Sequence, residues 1–271
     1  MQKKTLGFIG GGNMAQALLK GLLQQKIYRP EQIWVSDVLA ERLEFLRQTY
    51  GVHTSADNRT AAGKADILIL AVKPQQMAAV LKEIADSIRR GVLVISIAAG
   101  IRTAKIRSFL PQNPIIRVMP NTPAMVSAGA SALYNAGALP EQMQEALRIF
   151  ESVGKAVVAE QEELLDAVTA VSGSGPAYFF LLMEEMLKAA AELGLDEATA
   201  RALVLQTAKG AALLAEEAAG RGETPDILRK KVTSPGGTTE AALKVFGEYS
   251  FGPMVRQALL AAARRSRELS A

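Results

Sequence analysis

Val232-Thr233-Ser234-Pro235-Gly236-Gly237-Thr238-Thr239 packs two glycines, a proline and four hydroxyls into eight positions near the C-terminus. Pro235 fixes one φ angle, and Gly236 and Gly237 can take the positive φ that a tight turn needs. A charged, alanine-rich helical pattern resumes at Glu240-Ala241-Ala242-Leu243, so the turn is expected to deliver Thr238 or Thr239 to a helix N-cap. Free N–H groups and the helix dipole favour an anion there. The chemistry implied is a small carboxylate held beside a hydroxyl donor.

The other end of the chain carries a second glycine turn, Gly10-Gly11-Gly12-Asn13-Met14-Ala15, between a strand pattern and a helix pattern. This is the G-x-G-x-x-A form of the dinucleotide fingerprint. Gly10 makes the turn, Gly12 lets a diphosphate approach the backbone, and Ala15 permits close helix–strand packing. The next strand ends Trp34-Val35-Ser36-Asp37. Asp37 could accept from a ribose 2′-hydroxyl and favour NAD, or Ser36 could donate to a 2′-phosphate with charge from Arg42 or Arg59. Both readings stay open. Ala71-Val72-Lys73-Pro74, Ile97-Ala98-Ala99-Gly100 and Met119-Pro120-Asn121-Thr122-Pro123 end the following strands, where a doubly wound sheet borders its cofactor crevice. Lys73 is either a phosphate contact or a solvent-facing lysine, and Met119–Pro123 is either a nicotinamide-side loop or a structural turn. Ser172-Gly173-Ser174-Gly175-Pro176-Ala177 opens a long helix, with Ser174 as expected N-cap. His53, the sole imidazole, falls in a short connection on the adenosine side and is not read as catalytic.

The elements that must position these turns follow from hydrophobic periodicity. Strands are predicted at Thr5–Ile9, Gln32–Ser36, Ile67–Val72, Leu93–Ile97, Ile115–Met119, Ala130–Tyr134 and Lys155–Val158. Helices are predicted between them at Asn13–Gln25, Ala40–Thr49, Pro74–Arg89 and Glu141–Ser152. From Glu162 the pattern is helical: Glu162–Val171, Gly175–Leu193, Asp196–Ala219, Pro225–Lys231, Thr239–Val245 and Tyr249–Leu269. The expected fold is α/β: a Rossmann-type domain with a doubly wound, mostly parallel sheet over residues 1–160, then an all-α dimerisation domain over 161–271. Alanine dominates the C-terminal helices, for example Ala189-Ala190-Ala191, so pairing with a second copy is expected to bury more, the alternative being a compact monomeric bundle.

Composition excludes several classes. Hydrophobic residues are 49% and charged residues 21%, a soluble globular balance. The net charge of +4 is spread over scattered bases and aromatics are only 5%, which argues against a nucleic-acid surface. With no cysteine and one histidine, no metal site is expected. The longest charge-free run, Val118 to Pro140, is interrupted by prolines and glycines, so no membrane segment is expected. Met1-Gln2-Lys3-Lys4 runs directly into a strand pattern, so a cytoplasmic chain without signal peptide is expected.

Over essentially its whole length the sequence resembles the pyrroline-5-carboxylate reductase family, on Gly10–Ala15, Ala71–Pro74, Ala98–Gly100, Met119–Pro123, Ser172–Ala177 and above all Val232–Thr239. The resemblance implies NAD(P)H-dependent reduction of the cyclic imine 1-pyrroline-5-carboxylate to L-proline, with NADPH slightly favoured over NADH. It also implies a substrate site where two subunits interlock, and dimers that can assemble into decamers. By position, it assigns Ile9, Gly10, Gly11, Gly12, Asn13, Met14, Ser36, Asn58, Ala71, Val72, Lys73, Pro74, Ala98 and Ala99 to the cofactor. Ser234, Gly236, Gly237, Thr238 and Thr239 go to the substrate, with Thr239 as catalytic hydrogen-bond donor to the ring nitrogen. Two positions depart from relatives: Lys231 replaces a neutral side chain, and Glu223 is displaced relative to Pro225.

Imine reduction suits a chain with no candidate catalytic histidine. A protonated cyclic imine accepts hydride to give a neutral amine, whereas a ketone would build alkoxide charge and need a strong acid. A β-hydroxyacid dehydrogenase would want a lysine soon after the Ser172–Gly175 turn, but the first is Lys188. A non-catalytic dinucleotide-sensing dimer would leave Pro235–Thr239 unexplained.

Overall fold

The computed structural model describes residues 4–270. Residues 1–3 and 271, which include most of the Met1–Lys4 segment read above as leader-free, lie outside the described residues.

Eight strands form one sheet: β1 (Leu6–Ile9), β2 (Ile33–Ser36), β3 (His53–Ser55), β4 (Ile67–Leu70), β5 (Leu93–Ser96), β6 (Ile115–Met119), β7 (Gly129–Ala136) and β8 (Gly154–Ala159). Their order is β3-β2-β1-β4-β5-β6-β7-β8, parallel throughout except where β7 runs antiparallel to β6. The first six strands thus have the doubly wound order 3-2-1-4-5-6. β1, β4 and β5 are continuous buried apolar runs, as strands covered on both faces must be.

The helices supply that cover. One core joins Leu18 and Leu22 of α1 (Asn13–Gln24), Leu46 of α2 (Ala40–Tyr50) and Ile149 and Phe150 of α6 (Pro140–Glu151) to Phe8, Val35 and Ile69. A second joins Ala62 of α3 (Asn58–Lys64), Leu81 of α4 (Met77–Ile84) and Ile106 of α5 (Thr103–Phe109) to Ile9, Leu70 and Val94. The remaining helices are α7 (Leu164–Val168), α8 (Gly175–Glu192), α9 (Glu197–Ala219), α10 (Pro225–Lys231), α11 (Thr238–Glu248) and α12 (Phe251–Ser270). One compact unit runs to Pro176 and takes in the chain again from Ala262; the other is Ala177–Ala261.

Several elements differ from the sequence reading. β3 occupies the stretch taken as a connection: His53 pairs with Trp34, and their rings stack at 4.5 Å. Three residues at a sheet edge carry too little apolar alternation to be seen. α3 and α5 have seven residues each, below the length at which helical periodicity becomes visible. Helix α4 starts at Met77, after a 3-10 turn from Pro74. Ser174 directly precedes α8, as expected, but lacks the extended backbone of a usual N-cap. It follows a π-helical turn, Thr169–Gly173, and is itself helical (φ −86°, ψ −19°), its N–H bonded to Thr169 O at 2.7 Å.

The first unit buries charge where α5, β6 and the approach to α7 meet. Arg117 pairs with Glu162 at 3.0 Å, and Glu162 accepts from the Thr103 N–H and hydroxyl at 2.8 and 2.7 Å. Burial alone would raise the Glu162 pKa, but the Thr103 bonds and Arg117 together hold it below the ordinary value of about 4.5. A depressed carboxylate stabilises the fold above its unfolded pKa, and that contribution vanishes as pH falls through the folded value. Arg117→Met, which strands this carboxylate, is expected to cost about 3 kcal/mol at pH 7. Urea unfolding at a series of pH values should show the gap from the parent narrowing below pH 4.5.

Candidate active site

The register levels the carboxyl ends of the central strands. Ile9 lies opposite both Ser36 and Leu70, Leu70 opposite Ser96, and Ser96 opposite Arg117. The chain leaves β1 toward the α1 face and β4 toward the α4 face, so a crevice opens between the two strand ends. The loops at this edge hold the residues assigned to the cofactor from sequence.

The three glycines of the first loop are there for different reasons. Gly10 has φ +94°, its N–H donates to Ser36 O at 2.8 Å, and a Cβ there would sit 2.7 Å from Ala71 O. A Cβ on Gly11 would lie 2.7 Å from Leu46 Cδ1. Gly12 has unexceptional angles (φ −66°, ψ −172°), and no protein atom lies within 4 Å of where its Cβ would be. The backbone therefore demands glycine at Gly10, the Leu46 side chain crowds Gly11, and at Gly12 the protein itself leaves the Cβ position open. That vacancy borders the N-terminus of α1, which has neither a side-chain cap nor an acidic residue in its first turn, and so fits a diphosphate. Ile9 is buried beneath the turn, Asn13 is exposed, and Met14 is partly buried.

Ser36 is fully buried, its hydroxyl 2.8 Å from Asn58 Oδ1 and 3.3 Å from Phe8 O, while Asn58 also donates to Glu83 at 2.8 Å. Asp37 accepts backbone N–H groups on both oxygens, from Gly11 at 2.7 Å and Leu39 at 3.0 Å. Sequence reading had no signal for this holding role. Ala71 and Val72 are half-buried and Lys73 is exposed. Pro74 begins the 3-10 turn. Ala98 is buried and Ala99 exposed, and at Gly100 (φ +72°) a Cβ would lie 2.9 Å from Leu269 O. Asn121 is buried and bonds Ser172 O and the Ala130 N–H, a structural use of the Met119–Pro123 loop.

The second glycine turn lies in the Ala177–Ala261 unit. Gly237 N–H donates to Ser234 O at 3.0 Å, with Pro235 and Gly236 (φ +71°) between them, the pattern of a type II turn. A Cβ on Gly237 would meet Ser234 Oγ at 2.5 Å. Gly237, in an extended conformation (φ −86°, ψ 169°), takes the N-cap expected for Thr238 or Thr239. The threonines are instead the first two residues of α11, whose opening N–H groups have no acceptor within the helix. Glu240 turns back to accept the Gly236 N–H at 2.7 Å. The two unusual positions prove to be partners: Lys231 Nζ lies 2.6 Å from Glu223 Oε2, and its hydrogen bond holds the Glu223 pKa below the ordinary range.

A family model described as pyrroline-5-carboxylate reductase dimerisation matches residues 162–269, and one described as NADP oxidoreductase coenzyme F420-dependent matches residues 5–100. The chain is 45% identical to the pyrroline-5-carboxylate reductase of Pseudomonas aeruginosa, over 100% of this chain and 98% of that one. It is similar to the structure of a pyrroline-5-carboxylate reductase from Coxiella burnetii, at 41% identity and TM-score 0.93 with both chains fully covered. It is also similar to Plasmodium falciparum pyrroline carboxylate reductase with NADP bound, at 29% identity and TM-score 0.88, again over both full chains.

Because no protein atom approaches the Gly12 Cβ position, Gly12→Val should leave thermal unfolding close to the parent's while abolishing measurable NADPH and NADH binding. Fluorescence titration checks this; normal affinity in the variant would overturn the loop assignment.

Proposed function

The chain belongs to the pyrroline-5-carboxylate reductase family, and from that premise we propose how its residues divide the NAD(P)H-dependent reduction of 1-pyrroline-5-carboxylate to L-proline, the last step of proline biosynthesis. Residues 1–160 serve the cofactor and 161–271 the substrate and dimerisation. Gly10–Met14 cradle the diphosphate over Ile9, with Ser36 and Asn58 on the adenosine side. Ala71–Pro74 and Ala98–Ala99 border the nicotinamide half. Both NADPH and NADH fit, and NADPH is the favoured partner.

The observation that carries the substrate assignment is the type II turn feeding the uncapped start of α11. Ser234, Gly236, Gly237 and Thr238 surround a helix N-terminus suited to a carboxylate. Thr239, also in that first turn, supplies a hydroxyl whose oxygen accepts the protonated imine N–H and whose O–H can donate to the amine lone pair that forms. NAD(P)H held by the cofactor residues would supply a hydride to C5. The C=N π pair becomes the nitrogen lone pair, so the protonated imine leaves as a neutral amine and no strong acid is required. Orientation of the carboxylate is then the chain's principal contribution. The helical unit exposes Phe179, Phe180 and Leu181, apolar area suited to a second copy. We read the working form as a homodimer, with decamers built from dimers, and assign it to the cytoplasm, a reducing compartment in keeping with a cysteine-free chain.

NADPH and NADH oxidation followed by absorbance with pyrroline-5-carboxylate tests the assignment. Thr239→Val should lower turnover roughly a hundredfold with cofactor affinity retained. Unchanged kinetics would remove Thr239 from the mechanism. Silence of the parent protein with both cofactors would overturn the substrate.

A further inference from the structure

Arg42, in the first turn of α2, reaches across to the back of the Gly10–Gly12 turn. Its Nε donates to Gly11 O, and its Nη2 to Gly12 O at 3.4 Å and Gln16 Oε1 at 2.6 Å. The guanidinium lies 5.1 Å from the Phe45 ring centroid, and Gln16 is itself held by the Tyr50 hydroxyl at 3.1 Å. Asp37 accepts the Gly11 N–H at 2.7 Å, so the same residue is gripped at both its N–H and its C=O.

The consequence follows from peptide geometry. In a trans peptide the C=O and the following N–H point in opposite directions. With the Gly11 and Gly12 carbonyls turned to Arg42, the N–H groups of Gly12 and Asn13 are turned away from it. Those are the donors a diphosphate needs at the start of α1, and fixing them beforehand spares the ligand the entropy of ordering them.

We propose that Arg42 is a positioning residue for the diphosphate cradle, acting alike on NADPH and NADH, rather than a reader of the 2′-phosphate. This rests on the cofactor assignment of the Gly10–Gly12 turn. Its Nε and Nη2 are engaged by the loop and by Gln16, so only Nη1 lies outside this bonding, one nitrogen short of the two-nitrogen fork of a bidentate phosphate contact. The specific work of Arg42 is to bridge two carbonyls, which charge alone does not accomplish.

Dissociation constants for NADPH and NADH, measured on the full chain, separate the possibilities. Arg42→Met keeps an apolar stem over Phe45 but loses the donors. It should weaken both cofactors by a similar factor, roughly tenfold, with their ratio unchanged. Arg42→Lys keeps the charge without the bridge and should weaken both in the same way. Gln16→Met removes one anchor of the guanidinium and should lower both affinities by a smaller common factor; circular dichroism verifies each variant's fold. Loss confined to NADPH, recovery in Arg42→Lys, or no loss at all would each overturn the proposal. A parent protein that binds neither cofactor would instead overturn the loop assignment beneath it.

Discussion

The cofactor end of this molecule depends on where β1 is caught. It lies between β2 and β4, both parallel to it, and the chain must turn within one residue of its end. Gly10 makes that turn with its N–H on Ser36 O, while Ile9 O accepts from Ala71. The turn is thus tied to the strand on each side, and its angle is set by the sheet. A Cβ at Gly10 would press on Ala71 O and pry β1 from β4 at the point where the crevice opens. Helix α1 and the open space beside Gly12 begin directly after that close approach.

The same device recurs in the helical unit with different parts. There the tight turn is closed by Ser234 O and Gly237 N–H, and Gly236 supplies the positive φ. Each turn ends in a glycine N-cap without a side-chain acceptor, so the first N–H groups of α1 and α11 are left for a ligand. A serine or aspartate cap would have stabilised either helix by roughly a few tenths of a kcal/mol over glycine and consumed those donors. Both helices forgo that stability at the ends where ligands are assigned. At Gly237 the reason also lies within the protein, because a Cβ would strike Ser234 Oγ.

Much of this was legible in the sequence because glycine and proline report backbone demands directly. Gly10, Gly12, Pro235 and Gly236 announced two turns before helices, and long apolar runs announced β1, β4, β5 and β6. Short polar elements were silent. β3 and α3 hold their places through pairing with β2 and through Asp57, whose carboxylate accepts the Arg59 N–H. Neither leaves a periodic trace. Side-chain grips on backbone were equally invisible: Asp37, read as a possible ribose acceptor, also accepts the Gly11 and Leu39 N–H groups. The pairing of Glu223 with Lys231 likewise turned two isolated oddities into one ion pair.

The two units also differ in how they obtain a core. The first buries Phe8, Phe150 and many leucines and isoleucines completely. Between Ala177 and Ala261 the buried hydrophobics are Ala190, Ala200, Val204 and Ala218, while Phe179, Phe180, Leu193 and Tyr249 stand largely exposed. Alanine burial returns little apolar area for each ordered residue, so such a unit is poorly supported alone. A second copy covering those large side chains would supply what is missing, and the match to a dimerisation family over residues 162–269 agrees with that reading. The turn proposed to hold the substrate sits in this under-filled half. Its geometry would then be secured by assembly, whereas the nucleotide turn is secured by the sheet within one chain.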